Sequence, residues 1–347
     1  MKECALSVDC QCIPGLVSVI IPTYNRAVYL IDALESVVKQ SYRPLEIIVI
    51  DDGSKDDTKK ILEVFFKNVT KDSLGFKFLF QENAGACSAR NNGFRVSSGE
   101  YIQFLDSDDF IAEEKIADGV EALSKNEALD FVYCLRADFD SETKEISPWG
   151  ARLADLENNL CVSEVVLKSV WTALPLFRRS VLEKTGGWNE ELAAFQDWEY
   201  IGRIAYHAKK AQKIDKVQAY CRQHSSGRIS KGHFGDPSGL VAAALASKSL
   251  LCLVATSQDR DRDLAMKVLG KKCISAIRVA VATGQRQLAI NLVGEMDSIF
   301  SGNFIFLLKK EIYKKICILP NFFLRSVLGN AFFLFKNLKI KAKFKKN

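Results

Sequence analysis

Short apolar runs alternate with helical spacing through the first third of the chain. Val17–Ile21 is a strand-length run that ends at Pro22, a residue with no N–H to give to a ladder. Leu30, Leu34, Val37 and Val38 then recur at helical intervals until Arg43-Pro44 stops the pattern. Leu45–Ile50 is almost wholly apolar, as befits a parallel strand covered on both faces. Asp51-Asp52-Gly53-Ser54 turns the chain, and Asp56 or Asp57 is placed to cap a helix carrying Ile61, Leu62 and Phe65. A strand over Phe76–Phe80, a helix over Ala86–Val96 and a strand over Tyr101–Leu105 complete a βαβαβαβ order. That order predicts right-handed crossovers and an open parallel sheet.

The pattern weakens afterwards. Ile116–Leu123 reads as a helix and Phe131–Leu135 as a strand, while residues 136–170 carry no clear period. Leu176-Phe177, a helix around Val181–Lys184, a helix over Trp198–Ala208 and a weak strand near Val217–Cys221 follow. Beyond Gly235-Asp236-Pro237 the strand-like runs disappear. Residues 239–300 predict three or four helices, with Gly284 and Gly302 as breaks. The organisation read from this is an extension over 1–16, a sheet domain over 17–236, a helical region over 237–302 and a tail over 303–347.

Composition changes little of this picture and charge changes one part. With 347 residues, 48% of them hydrophobic, the chain has ample material for a core, and disorder or repetition is excluded. The net charge of +6 is a property of one end, because residues 303–347 alone carry +10. There, Phe and Leu alternate with Lys, a texture suited to an anionic membrane surface better than to nucleic acid, with a solvated helix as the bland alternative. Ten cysteines without a C-x-x-C pair read as reduced core thiols of a cytoplasmic protein. Glu3 and Asp9 interrupt any export signal, and the longest apolar stretch, Ile316–Phe335, is broken by Pro320, Asn321, Arg325 and Asn330. The expectation is peripheral association, not a spanning helix.

Candidate chemistry gathers at the carboxyl ends of the predicted parallel strands, where open α/β sheets bind ligands. The four ends read Thr23-Tyr24-Asn25-Arg26, Asp51-Asp52, Glu82-Asn83-Ala84-Gly85 and Asp106-Ser107-Asp108-Asp109. One such terminus is ordinary; four imply a shared site. The carboxylates of 106–109 suit a hard divalent ion bridging to a diphosphate, or else a solvated turn with Asp109 capping a helix. Asp52 suits a nucleobase or ribose, or an Asx turn into Gly53. Tyr24 suits base stacking or packing; Arg90 and Asn91 suit base, phosphate or solvent. Asp197, in Phe195-Gln196-Asp197-Trp198-Glu199, suits a general base or a helix N-cap. His224 suits a metal or phosphate contact, or neither. Neither a G-x-G-x-x-G nor a P-loop motif is present.

Taken together, VSVIIPTYNR (17–26), IVIDDGSKDDT (48–58), NAGACSARN (83–91), YIQFLDSDD (101–109) and GGWNEELAAFQDWE (186–199) resemble family two of the inverting nucleotide-sugar glycosyltransferases, the GT-A type found in bacterial surface-polysaccharide synthesis. The likeness covers residues 17 to about 225, in the family's motif order. It implies an α/β GT-A (Rossmann-like) fold, an open, mostly parallel sheet with helices on both faces, followed here by a helical appendage. It also implies a nucleotide-sugar site of Pro22, Tyr24, Asn25, Arg26, Asp52, Asn83, Gly85, Arg90, Asp106, Ser107 and Asp108. Mn²⁺ or Mg²⁺ would sit on Asp106 and Asp108, with His224 as a further ligand, and Asp197 would be the base. Gln196-Asp197 departs from the family's frequent Glu-Asp by one carboxylate. The implied reaction moves sugar from a nucleotide-sugar donor, a UDP-sugar in the first instance, to a saccharide or lipid-linked acceptor. A silent sugar-nucleotide scaffold and a nucleotidyltransferase are the alternatives.

Overall fold

The computed structural model describes residues 12–69, 74–148, 171–208, 210–223, 237–256, 262–282 and 290. All of them fall within one compact unit, Met1–Leu292. Four parallel strands form one side of a continuous sheet: β1 (Ile13–Thr23), β2 (Leu45–Asp51), β3 (Leu74–Phe80) and β4 (Gly99–Phe104). They stand in the order β3-β2-β1-β4, so β1 is central, with β2 wholly buried as its apolar run predicts. The helices α1 (Ala27–Val38), α2 (Thr58–Asn68) and α3 (Ala86–Val96) make the crossovers. β1 starts four residues earlier than its apolar run, because Pro14-Gly15 interrupts the pattern without ending the strand; the register with β4 shifts there. At α2, Asp56 accepts from the Thr58 amide and hydroxyl, whereas Asp57 makes no side-chain cap.

The other side of the sheet is mixed. β5 (Phe110–Ile111), α4 (Lys115–Lys125), β6 (Phe131–Asp140), β7 (Ile146–Pro148), β8 (Pro175–Arg178), α5 (Arg179–Thr185), α6 (Gln196–His207) and β9 (Ala211–Gln223) follow in sequence. The spatial order continues β4-β8-β6-β9-β5, with β7 on β6. β8 pairs antiparallel to both β4 and β6, β9 runs parallel to β6, and β5 closes antiparallel on β9. The parallel arrangement therefore holds throughout the first four strands, and the rest of the sheet mixes antiparallel pairs with the parallel β6–β9 pair. Strands of two to four residues show no alternation to read, which is why β5, β7 and the role of β8 were invisible in the pattern.

Two helices follow, α7 (Pro237–Thr256) and α8 (Arg262–Ala282), packed on each other, with α7 also against α6. Any further helices in 283–300, residues 1–11 of the extension read as 1–16, and the 303–347 tail lie outside the described residues, apart from Ile290, which is helical; the end of that extension belongs to β1, which starts at Ile13. Among the described cysteines, Cys87, Cys134, Cys221 and Cys273 are buried, while Cys12 is exposed. Among the described residues, no helix is long and apolar enough to cross a membrane.

Candidate active site

A cavity of about 630 Å³ opens beyond the carboxyl ends of β1, β2 and β4. That volume is in the range of small-molecule and cofactor sites. Twelve of the thirteen residues expected from the sequence line it: Pro22, Tyr24, Asn25, Arg26, Asp52, Asn83, Gly85, Arg90, Asp106, Ser107, Asp108 and Asp197. The thirteenth, His224, lies outside the described residues.

At one end the loops are fixed by backbone hydrogen bonds. Asn25 sits in the left-handed region, at φ 50. Its amide donates to Ser54 Oγ at 2.8 Å, and its side-chain oxygen accepts from the Lys55 amide at 2.8 Å, tying the β1 loop to the β2 loop. The Asx-type turn predicted for Asp52 belongs to its neighbour, since Asp51 Oδ1 accepts from the Ser54 amide. Asp52 is buried and organises the next loop instead. Its Oδ1 accepts from Gln81 Nε2 and the Ala84 amide, and its Oδ2 from the Gly85 amide, each at 2.8 Å. Gly85 precedes α3 at φ 91, a conformation that a side chain would strain. Three donors on a carboxylate leave roughly one lone-pair direction open to the cavity. Tyr24, at the rim, is 43% exposed.

The middle of the cavity is a ladder of carboxylates and guanidinium groups. Arg90, on α3, donates from Nη2 to Asp106 at 2.7 Å and from Nη1 to Gln196 at 3.1 Å, and its guanidinium lies over the Trp188 ring. It thus joins the acidic turn to α6. Asn91 turns away and holds Trp188 through the latter's amide and carbonyl, so it is a structural residue. Asp108 pairs with Arg26 at 3.5 Å. Asp109 is buried and accepts from the Arg222 amide at 3.0 Å. Burial first, then the adjacent Asp108 and Asp106, hold its carboxyl well above the usual range. It caps no helix, because α4 begins only at Lys115.

Asp106 and Asp108, hard oxygen donors that line the same cavity and pair with Arg90 and Arg26, are of a chemistry that would suit two ligands of a divalent ion. Among the described residues no group of three or more His, Cys, Asp or Glu is placed to hold a metal ion by itself.

At the other end stands Asp197. The N-cap of α6 is Phe195, left-handed at φ 59 with no capping side chain, so Asp197 lies inside the first turn and not at the cap. Its Oδ1 accepts from the Trp198 amide at 2.8 Å. Burial raises its pKa, Asp106 adds to the rise, and Arg90 opposes it. Trp171, Thr172, Ala194, Phe195 and Gln196 line the cavity around it, and the Arg136 guanidinium stacks 3.5 Å from the Trp171 ring centre.

Sequence reasoning missed Arg222. It is buried at the end of β9, donates from Nε to the Asp108 carbonyl at 2.9 Å and from Nη2 to Asp32 at 2.6 Å, and lies over the rings of Tyr29, Phe110 and Phe139. Trp171 was missed too, in a stretch without period. A buried cation two residues before His224 was the available signal for Arg222.

A parallel sheet whose strand ends enclose acidic residues, with an Asp on a facing helix, is the architecture of a GT-A sugar transferase. Residues 18–186 match the family model described as Glycosyl transferase family 2, and through this segment the chain belongs to that family. The chain is 41% identical over 102 residues to the glycosyltransferase GlyG of Streptococcus pneumoniae serotype 4, covering 29% of this chain and 33% of that one. It is 33% identical over 213 residues to the Campylobacter jejuni GalNAc(5)-diNAcBac-PP-undecaprenol beta-1,3-glucosyltransferase, covering 60% of this chain and 66% of that one. The matched segment therefore spans a third to just under two thirds of these relatives. Among solved structures, S. aureus TarS 1–349 in complex with UDP-GlcNAc superposes with a TM-score of 0.63 at 21% identity, covering 82% of this chain and 81% of that one. That likeness shows the fold.

Proposed function

We propose that the protein is a metal-dependent inverting glycosyltransferase that moves a sugar from a nucleoside diphosphate donor to a hydroxyl of a saccharide or lipid-linked acceptor during surface-polysaccharide assembly. The observation that carries this reading is the convergence of Asp52, Asp106, Asp108 and Asp197, from three separate segments, on one cavity. A UDP-sugar is the donor favoured by the likeness to a fold bound to UDP-GlcNAc, and the name of the Campylobacter relative favours a lipid-linked acceptor.

The nucleoside lies at the Tyr24–Asp52–Gly85 end, where the backbone is already fixed. Tyr24 stacks on the base, and Asp52 offers it the remaining carboxylate lone pair. Asp106 and Asp108 would hold Mn²⁺ or Mg²⁺, and an ion there would supply positive charge to stabilise the leaving diphosphate. Asp197 takes the proton of the acceptor hydroxyl as that oxygen attacks the anomeric carbon from the face opposite the diphosphate, inverting it. A base with a raised pKa holds the proton more readily as it arrives. Arg90 keeps Asp197 from rising too far, and Gln196 beside it adds no competing charge. The basic 303–347 segment anchors the enzyme to an anionic membrane, so deleting 336–347 moves it to the soluble fraction.

The test is a thermal-shift panel of UDP, UDP-GlcNAc and GDP-mannose with and without Mn²⁺. A UDP-sugar with Mn²⁺ raises the midpoint most, since ligand at a hundred times its Kd adds about 2.7 kcal/mol. If no nucleotide stabilises the protein under any metal condition, the reading is wrong.

A further inference from the structure

We infer that the helix pair α7–α8 is a brace for the helix that carries Asp197, acting through a buried contact between Ser249 and Glu199; this rests on the reading of Asp197 as the base. Glu199 lies two residues beyond Asp197 on α6 and is only 1% exposed. A carboxylate this deep is tolerated only when it is paired and hydrogen-bonded. Arg203 supplies one partner, with Nε 2.8 Å from Oε1 and Nη2 3.0 Å from Oε2. Ser249 Oγ, from the middle of α7, supplies the other at 2.6 Å from Oε1. The two helices meet again one turn further on. A Cβ at Gly202 would stand 2.4 Å from Cδ2 of Leu250, which is fully buried, so a side chain there would have to displace the Leu250 methyl.

The network continues away from α7. Arg203 also donates to the Thr185 carbonyl at 3.0 Å and the Gly187 carbonyl at 2.7 Å. These carbonyls start the loop whose Trp188 is held by Asn91 of α3. Glu199 is therefore the point where α7, α6 and the loop leading back to the donor-side helix are joined. The N-terminal turn of α6 has no capping side chain at Phe195; its side-chain ties run through Gln196, to Arg90 and the Leu192 carbonyl, and through Glu199 to Ser249. Ser249 is a positioning residue: it fixes the axis of α6 and, through it, where Asp197 meets the acceptor oxygen. Small misplacements of this kind, made far from the reacting atoms, can cost up to ~100-fold in rate.

The experiment compares Ser249→Ala and Ser249→Thr in the full chain. It uses four readouts: hydrolysis of UDP-GlcNAc with Mn²⁺, UDP binding by calorimetry, hydrogen exchange of amides 196–203, and the thermal midpoint. Ser249→Ala is expected to lower kcat about tenfold, leave the Kd for UDP within about twofold, and speed exchange at the start of α6. Ser249→Thr, which keeps the hydroxyl, restores both. Unchanged exchange and kcat in Ser249→Ala overturns the brace. So does a parallel fall of kcat, UDP affinity and thermal midpoint, which is general loosening. If the wild-type protein turns over no nucleotide sugar, the proposed function fails, and the exchange comparison still decides whether α7 holds α6.

Discussion

The two ends of the cavity are held by different means. At the nucleoside end, main-chain amides do the holding: Ala84 and Gly85 donate to Asp52, and Asn25 exchanges hydrogen bonds with Ser54 and Lys55. At the reacting end, charged side chains do it, with Arg90 strung between Asp106 and Gln196, and Phe195 left in a left-handed conformation at the start of α6. Amide donors set shape and favour the ionised form of the carboxylate they surround. Guanidinium groups do the same with a full positive charge. Substitutions at the first end should damage binding and stability, and those at the second should damage rate and its pH dependence.

The largest effect expected is at the reacting end. Asp197→Asn keeps the hydrogen bond to the Trp198 amide but cannot take a proton, so kcat falls by about 10²–10⁴-fold while UDP affinity measured by calorimetry stays put. Normal transfer by this variant would remove Asp197 from the mechanism.

Asp52→Ala tests the other end and has the next largest effect. It strips an acceptor from Gln81, Ala84 and Gly85 together. With hydrogen bonds to charged groups at about 1.5–3 kcal/mol, the thermal midpoint and UDP affinity both fall, the latter by about tenfold or more, while turnover of donor already bound changes less. The opposite ordering, with kcat hit and binding spared, would erase the distinction between the two ends.

Arg90→Gln sharpens the contrast through pH. As the proposed base, Asp197 would work deprotonated, so activity is expected above its folded pKa and lost as pH falls through it. Burial has already raised that pKa; the Trp198 amide pulls it down, and Arg90 is the charged side chain that adds to that pull. Without the guanidinium the carboxylate is less favoured, and the acid limb of kcat/KM moves to higher pH. Arg90→Lys, which keeps the charge, leaves the limb closer to its original place. A limb that moves to lower pH in Arg90→Gln would mean that Arg90 does not act on Asp197 electrostatically.

How far the sequence carried each end follows from the same contrast. The nucleoside end is made of strand, turn and helix start in immediate succession, so 17–26, 48–58 and 83–91 put its residues on the page as contiguous motifs. Even there the division of labour between Asp51 and Asp52 needed coordinates, because either aspartate suits an Asx turn by sequence. The reacting end is assembled from β9, the segment entering β8 and a helix start. Arg222 reaches Asp108 and Asp109 across 114 and 113 residues, a pairing that no local period announces. Trp171 follows a stretch with no pattern, and the four-residue β8 that places it runs antiparallel between strands read as part of a parallel sheet. Asp197 was found by its motif, yet its position inside the helix depends on a backbone angle at Phe195 that no propensity favours.

That angle gives the smallest and most discriminating effect. At an ordinary position alanine is more stabilising than glycine by about 0.5–1 kcal/mol, because glycine loses more chain freedom on folding. A left-handed backbone reverses the preference, since a Cβ there costs roughly 1–2 kcal/mol. Phe195→Ala and Phe195→Gly both lose the ring and its edge contact with Trp198, so the difference between them isolates the backbone. The glycine variant is expected to be the more stable of the two, by up to about 1 kcal/mol, as measured by urea unfolding. Alanine equal to or better than glycine would mean that the chain leaves the left-handed region once the ring is gone. Phe195 would then be held there by its side chain, and the reacting end would owe its geometry to packing more than to the charges around it.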